Sequence, residues 1–141
     1  MEHQSRLEAM RKLSAEMGFE LITEPSYQMA EYFKNVSANV DGRCRICFDM
    51  RLGQTAAYAA GHGYEYFSSS LFISPHQKHQ DAVCSAEALA KETGVRFAYA
   101  DLRKRYSDSR HITKPLDLYR QQYCGCVYSE YERFGKPGSP A

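Results

Sequence analysis

Two closely spaced cysteine pairs are the residues best suited to chemistry in this sequence. Two residues separate Cys44 from Cys47, and a single glycine separates Cys124 from Cys126. A two-residue gap at the start of a helix lets both sulfurs face one metal, and the free backbone N–H groups there stabilise thiolates. The glycine of the second pair lets the backbone fold so that both sulfurs point into one site. Together the pairs offer four soft ligands.

Four thiolates suit zinc or an iron–sulfur cluster of the 4Fe–4S type, and the spacings alone leave both open. A third interpretation is separate buried or redox-active thiols, since CxxC pairs also occur in thiol–disulfide enzymes. Structural disulfides are disfavoured by the odd count of five cysteines in a chain expected to lie in a reducing compartment. Cys84 has no partner at ligand spacing, and we interpret it as a small buried hydrophobe.

The residues just before the second pair are also candidates. Tyr119 and Arg120 lead into Cys124, so their side chains are expected to surround the metal chemistry. A tyrosine hydroxyl can donate a proton and an arginine can clamp a phosphate, which predicts catalytic roles for both. The alternative is that Tyr119 only packs, half-buried, and that Arg120 is a solvated charge.

Composition narrows the class of protein. The 141 residues are 43% hydrophobic and 25% charged, which is typical of one globular domain, and the net charge of +1 argues against a uniformly basic nucleic-acid binder. Residues 96–120, however, carry seven Lys or Arg against three Asp, which could follow an RNA backbone or simply be a solvated face. No apolar run is long enough to span a bilayer and no signal peptide is visible, which predicts a cytoplasmic protein.

Helical and strand patterns alternate along the chain. This predicts a three-layer α/β/α sandwich with a mostly parallel sheet, whose ligands bind beyond the carboxyl ends of the strands. We expect one domain over 1–134 and a disordered tail over 135–141. The expected helices cover about 2–17, 27–36, 44–60 and 77–92, and the expected strands cover 19–23, 64–72 and 95–99.

Three stretches resemble the QueH family: RCRICFDMR at 43–51, SSSLFISPHQK at 68–78 and LYRQQYCGC at 118–126. The resemblance implies an adenine-nucleotide-hydrolase-like α/β fold and reduction of epoxyqueuosine to queuosine at the wobble position of tRNA. It further implies a 4Fe–4S cluster, an additional iron or other metal ion, and no cobalamin. By motif, it makes metal or cluster ligands of Cys44, Cys47, Cys124 and Cys126.

The resemblance also sets expectations about partners. The substrate would be tRNA, and an unidentified electron donor would supply the electrons. We expect the RNA to be positioned by Arg51, Arg103, Lys104, Arg110 and Arg120.

One departure qualifies the resemblance. Family members begin with a strand and a CC-x-P motif that this sequence lacks, so we expect the fold to be N-terminally truncated. The alternatives to a reductase are a zinc-stapled RNA-binding module without catalysis and an inactive fragment of the enzyme.

Overall fold

The computed structural model describes residues 2–26 and 28–135. It divides the chain into two compact units, and each is described by itself. One unit is Ser26–Ser107, and the other consists of the described parts of Met1–Pro25 and Asp108–Ala141. No helix in the described ranges has the length and apolar character needed to cross a membrane. Beyond Gly135, the predicted tail lies outside the described residues.

In its described residues, the unit Ser26–Ser107 contains three complete α-helices and a small sheet. The two strands are parallel, with Tyr66 opposite Arg96 and Phe67 opposite Phe97. A short 3-10 helix, Ser70–Ile73, follows the first strand. In chain order the elements are α2 (Met29–Val36), α3 (Arg43–Gly61), β1 (Tyr66–Phe67), α4 (His79–Thr93) and β2 (Arg96–Phe97).

The hydrophobic core of this unit lies between α3, α4 and the strands. Apolar residues recur along α3 at spacings of four, four and three, which places them on one helix face. That face packs against apolar side chains of α4 and against aromatic side chains of β1 and the 3-10 helix. The buried members are Phe48, Leu52, Ala56, Ala59, Phe67, Phe72, Ala82, Val83, Ala86 and Val95.

The strands are shorter than the sequence predicts. Predicted strand 64–72 is only Tyr66–Phe67, because Ser69 accepts a hydrogen bond from the Leu71 N–H and starts the 3-10 helix. The prediction of a strand at 19–23 is wrong, since those residues have no regular secondary structure. Their apolar side chains are substantially exposed, Ile22 by 51%, so burial does not stabilise an extended segment there.

The other unit is built from helices. α1 (Glu2–Met17) ends where predicted, at Gly18 with a left-handed φ of 71°. The remaining helices are α5 (Tyr106–Thr113), which begins at the end of the other unit, and α6 (Val127–Glu130). A π-helical turn, Tyr131–Gly135, follows α6.

The predicted fold class is confirmed as α/β, with helices around a small parallel sheet of two strands in the described residues. This arrangement is consistent with a three-layer α/β/α fold. The connection between the two parallel strands contains α4, as in a strand–helix–strand crossover unit.

Candidate functional site

The first cysteine pair lies at the start of α3. Cys44 is the second residue of that helix and Cys47 comes three residues later, so both side chains project from the same helix face. Cys44 packs against the hydrophobic core, and both cysteines are partly buried thiols. Amides in the first helical turn lack intrahelical acceptors, and their dipoles favour the thiolate form that metals bind.

The second pair lies in the irregular segment before α6, and we call residues 123–126 the CxC loop. Gly125 has a φ of 105°, a conformation that L side chains rarely adopt, so the turn between Cys124 and Cys126 requires glycine. Cys126 is the N-cap of α6, and its sulfur accepts a hydrogen bond from the Ser129 N–H at 3.4 Å. Both cysteines are partly buried thiols.

A salt-bridged pair on α1, Arg6 and Glu2, contacts the CxC loop through backbone carbonyl groups of the loop. The Arg6 guanidinium donates through Nη1 to the Cys124 carbonyl at 3.0 Å and through Nη2 to the Tyr123 carbonyl at 2.8 Å. Its Nε donates to Glu2 Oε1 at 2.7 Å. The other carboxylate oxygen of Glu2 accepts a hydrogen bond from the Tyr119 hydroxyl. Tyr119 is thus connected to the loop through these two residues.

These contacts change the acidity of the groups involved. The hydrogen bond to Glu2 raises the pKa of Tyr119, with burial adding to the effect. Burial alone would raise the pKa of Glu2, but hydrogen bonds from Tyr119 and Arg6 and the charge of Arg6 hold that pKa below its ordinary value. Around neutral pH, therefore, Glu2 is a carboxylate and Tyr119 retains its proton.

The predicted RNA-contacting residues are all exposed: Arg51, Arg103, Lys104, Arg110 and Arg120. Arg103 differs from the others in the contacts that the structure gives it. Its Nε and Nη2 donate to the carboxylate of Asp101 at 2.8 and 2.6 Å. Part of the positive charge predicted for this surface is therefore already compensated within the protein.

Polar side chains lie beyond the carboxyl ends of the two strands, the place where the sequence analysis expects ligands to bind. The Ser68 hydroxyl donates to the Ala98 carbonyl at 2.8 Å, which ties the segments after β1 and β2 together. His79 Nε2 lies 3.0 Å from the Tyr99 hydroxyl, and Asp101 follows on the same segment. Ser68 and Ser69 both form side-chain hydrogen bonds to backbone groups, so their observed role is structural.

Glu2 and Arg6 are not among the site residues predicted from the sequence. Their i, i+4 spacing is a visible salt-bridge pattern, but nothing in the sequence links it to a loop more than a hundred residues away. The two cysteine pairs belong to different compact units, so a single centre with all four sulfurs stays a prediction. Within residues 2–26 and 28–135, no group of three or more His, Cys, Asp or Glu is arranged to hold a metal ion.

Comparison with known proteins supplies the family. The sequence profile described as epoxyqueuosine reductase QueH matches residues 1–132. A protein of that name from Dehalococcoides mccartyi is 99% identical over 141 residues, which are 100% of this chain and 78% of that protein.

More distant relatives with the same name also match. The protein from Streptococcus pyogenes is 36% identical over 75% of this chain and 44% of its own length. The protein from Thermotoga maritima is 36% identical over 64% of this chain and 48% of its own length. The chain thus spans less than half the length of these two relatives. These matches confirm the resemblance, and the chain belongs to the QueH family of epoxyqueuosine reductases, oxidoreductases of queuosine biosynthesis.

Proposed function

We propose that this chain reduces epoxyqueuosine to queuosine at the wobble position of tRNA. The epoxide oxygen leaves as water after uptake of two electrons and two protons, and a carbon–carbon double bond remains. The observation that carries the proposal is the family match over residues 1–132, which includes both cysteine pairs. The 99% identity to a relative with this name supports it.

The proposed cofactor is a 4Fe–4S cluster held by Cys44, Cys47, Cys124 and Cys126. The chemistry of the donors supports this proposal, since four thiolates are the usual ligands of such a cluster and each pair of partly buried thiols is closely spaced. When bound, such a cluster supplies electron transfer, and an additional iron or other metal ion would complete the centre. The proposed reaction uses no cobalamin, and its electrons come from a separate donor.

The protein's own residues would handle the proton and the RNA. Tyr119 keeps its proton at neutral pH, so it can serve as a donor once its hydrogen bond to Glu2 breaks. Arg120, the next residue in the chain, is exposed. Its planar guanidinium can donate hydrogen bonds to two oxygens of one phosphate. We therefore assign proton delivery to Tyr119 and substrate positioning to Arg120.

Binding of the tRNA would be dominated by contacts to phosphates. The exposed cations Arg51, Lys104 and Arg110 supply positive charge for this purpose. Each phosphate that they neutralise releases counterions, so affinity should fall as salt rises. The proposed action on tRNA also supports the proposal of a cytoplasmic location.

The direct test is reduction of epoxyqueuosine-containing tRNA. The chain is purified without oxygen, reconstituted with iron and sulfide, and supplied with a chemical reductant. Nucleosides are then analysed by mass spectrometry for the loss of one oxygen atom. We expect product with the unaltered chain and with C84S, because Cys84 lies outside both pairs, and no product with C44S. Activity in C44S, or one equivalent of zinc without sulfide, would contradict the proposal and favour an RNA-binding module.

A further inference from the structure

Arg6 contacts the CxC loop directly from a distant part of the sequence. Its two terminal nitrogens donate to consecutive carbonyls, those of Tyr123 and Cys124, across separations of 117 and 118 residues. A guanidinium presents its donors in a rigid fork, so one side chain fixes the relative orientation of two peptide groups. The shape of the loop therefore depends on a tertiary contact as well as on its own turn.

Glu2 fixes the guanidinium in turn. It lies one helical turn before Arg6 and accepts from Nε at 2.7 Å, while its second oxygen accepts from Tyr119. The side chains of Arg6 and Glu2 are only 25% and 19% exposed. Partial burial reduces screening by solvent, so this pair restrains its neighbours more than a fully exposed ion pair would. One turn of α1 thus holds both ends of the segment 119–124.

The fit between Arg6 and the loop leaves no space for a larger residue at position 125. A Cβ atom added to Gly125 would lie 2.8 Å from both terminal nitrogens of Arg6. The guanidinium therefore packs directly on the glycine between the two cysteines, on the backbone that carries their sulfurs.

We propose that the Glu2–Arg6 pair is a positioning element that holds the CxC loop in its metal-binding shape before the metal arrives. The inference rests on the proposed function in one respect, namely that Cys124 and Cys126 are metal ligands. Arg6 is not itself a ligand. It lowers the ordering cost of binding, because a loop that is already shaped loses less conformational freedom when its sulfurs are coordinated.

The test uses variants at Arg6 and a matched control on the same helix. R6Q removes the fork, R6K keeps the charge without the fork, and R11Q removes an exposed arginine of α1. In metal-free protein, we expect the amides of residues 124–129 to exchange hydrogen about tenfold faster in R6Q and R6K, the size expected when a charge-assisted hydrogen bond is lost. R11Q should match the unaltered chain.

A second readout follows the metal. After anaerobic reconstitution with ferrous iron and sulfide, we expect a chelator to remove iron about tenfold faster from R6Q and R6K than from R11Q. Y119F, which removes only a hydroxyl at the far end of the network, should give a smaller change in the same direction. Far-UV circular dichroism checks that every variant retains its helices.

The proposal is overturned if R6Q and R11Q exchange and release iron alike, or if R6K restores both rates fully, since charge alone would then suffice. Failure of the proposed function has a different signature. Uptake of zinc without sulfide by the unaltered chain would exclude the reductase chemistry, while faster exchange in metal-free R6Q would still support the positioning role of Arg6.

Discussion

At the scale of single residues, Asp101 pairs with Arg103, one of the residues proposed to contact RNA. Its carboxylate accepts from the Arg103 backbone N–H at 3.1 Å and from two guanidinium nitrogens. These hydrogen bonds and the charge of Arg103 hold the pKa of Asp101 far below its ordinary value. Because the folded pKa is depressed, the pairing is complete above the unfolded pKa and is lost only as pH falls through the folded pKa. It therefore persists throughout the neutral range.

Removing the carboxylate should strengthen RNA binding. In D101N we expect the dissociation constant for tRNA to fall about threefold at low salt, the size expected of one exposed charge. Fluorescence anisotropy with labelled tRNA measures the effect. In the R103Q background the gain from D101N should shrink, because there is no guanidinium left to release. An equal gain in both backgrounds would show that Arg103 is not the group involved.

Gly125 supports a prediction about stability. G125A should lower the free energy of unfolding by about 2 kcal/mol, since the left-handed φ and the close approach of Arg6 both oppose a side chain. Urea denaturation followed by circular dichroism measures this. The double variant R6A/G125A should cost less than the sum of its parts, because only the backbone strain remains. Full additivity would indicate that Arg6 and the loop are not in contact.

At the residue scale, candidate site residues could be predicted only where their spacing within a short segment of sequence was informative. The spacing of Cys44 and Cys47 marks a candidate site because a helix places residues i and i+3 together. Arg6 could not be connected with the CxC loop, since its partners there are backbone carbonyls, which carry no sequence signal.

At the scale of elements, α4 ends at Gly94, where the backbone conformation, and not a lack of space, opposes a side chain. Gly94 has a left-handed φ of 74°, and an added Cβ would meet nothing within 4 Å. G94A should therefore lower the free energy of unfolding by about 1 kcal/mol through backbone strain alone. Gly61, the last residue of α3, is equally open without a left-handed φ, so G61A should raise stability by about 0.5 kcal/mol. Thermal unfolding measures both variants. If G94A and G61A changed stability equally, the proposed strain at Gly94 would be contradicted.

The core of Ser26–Ser107 contains residues of both α3 and α4. Leu52 of α3 belongs to this core and is 1% exposed. L52A should lower the free energy of unfolding by about 2 to 5 kcal/mol, because it removes apolar contacts and leaves a cavity. L102A is the control, because Leu102 is exposed. We expect it to lower the free energy of unfolding by less than about 1 kcal/mol. If L52A and L102A lowered the free energy of unfolding in urea by similar amounts, the assignment of Leu52 to the core would be contradicted.

The helices α1 to α4 were predictable to within a few residues, whereas α5 and α6 were not predicted, two predicted strands are longer than the observed ones, and the third is absent from the described residues. The 3.6-residue apolar period in α3 and α4 reflects burial on one face, a signal contained in each segment. A strand needs a partner to form, and segment 19–23 resembles a strand only in composition. Ser69 ends β1 early through a local hydrogen bond, which the apolar pattern of residues 71–73 conceals.

At the scale of the whole molecule, the cysteine pairs lie in separate units, Cys44 and Cys47 in Ser26–Ser107 and Cys124 and Cys126 in the other. Sequence could identify the pairs and their family, but the choice between one shared centre and two independent sites depends on tertiary arrangement. That choice decides the chemistry, since a 4Fe–4S cluster bound by these residues needs all four sulfurs, whereas separate pairs suit other metals or thiol reactions.

The most direct test of the central claim counts iron and acid-labile sulfide per chain in C44S and C124S after anaerobic reconstitution. If the four cysteines hold one cluster, each substitution should abolish or severely reduce the iron and sulfide bound by the unaltered chain. C84S should retain both at the unaltered level. Loss of only half the metal in each variant, or zinc without sulfide in the unaltered chain, would contradict a shared iron–sulfur centre.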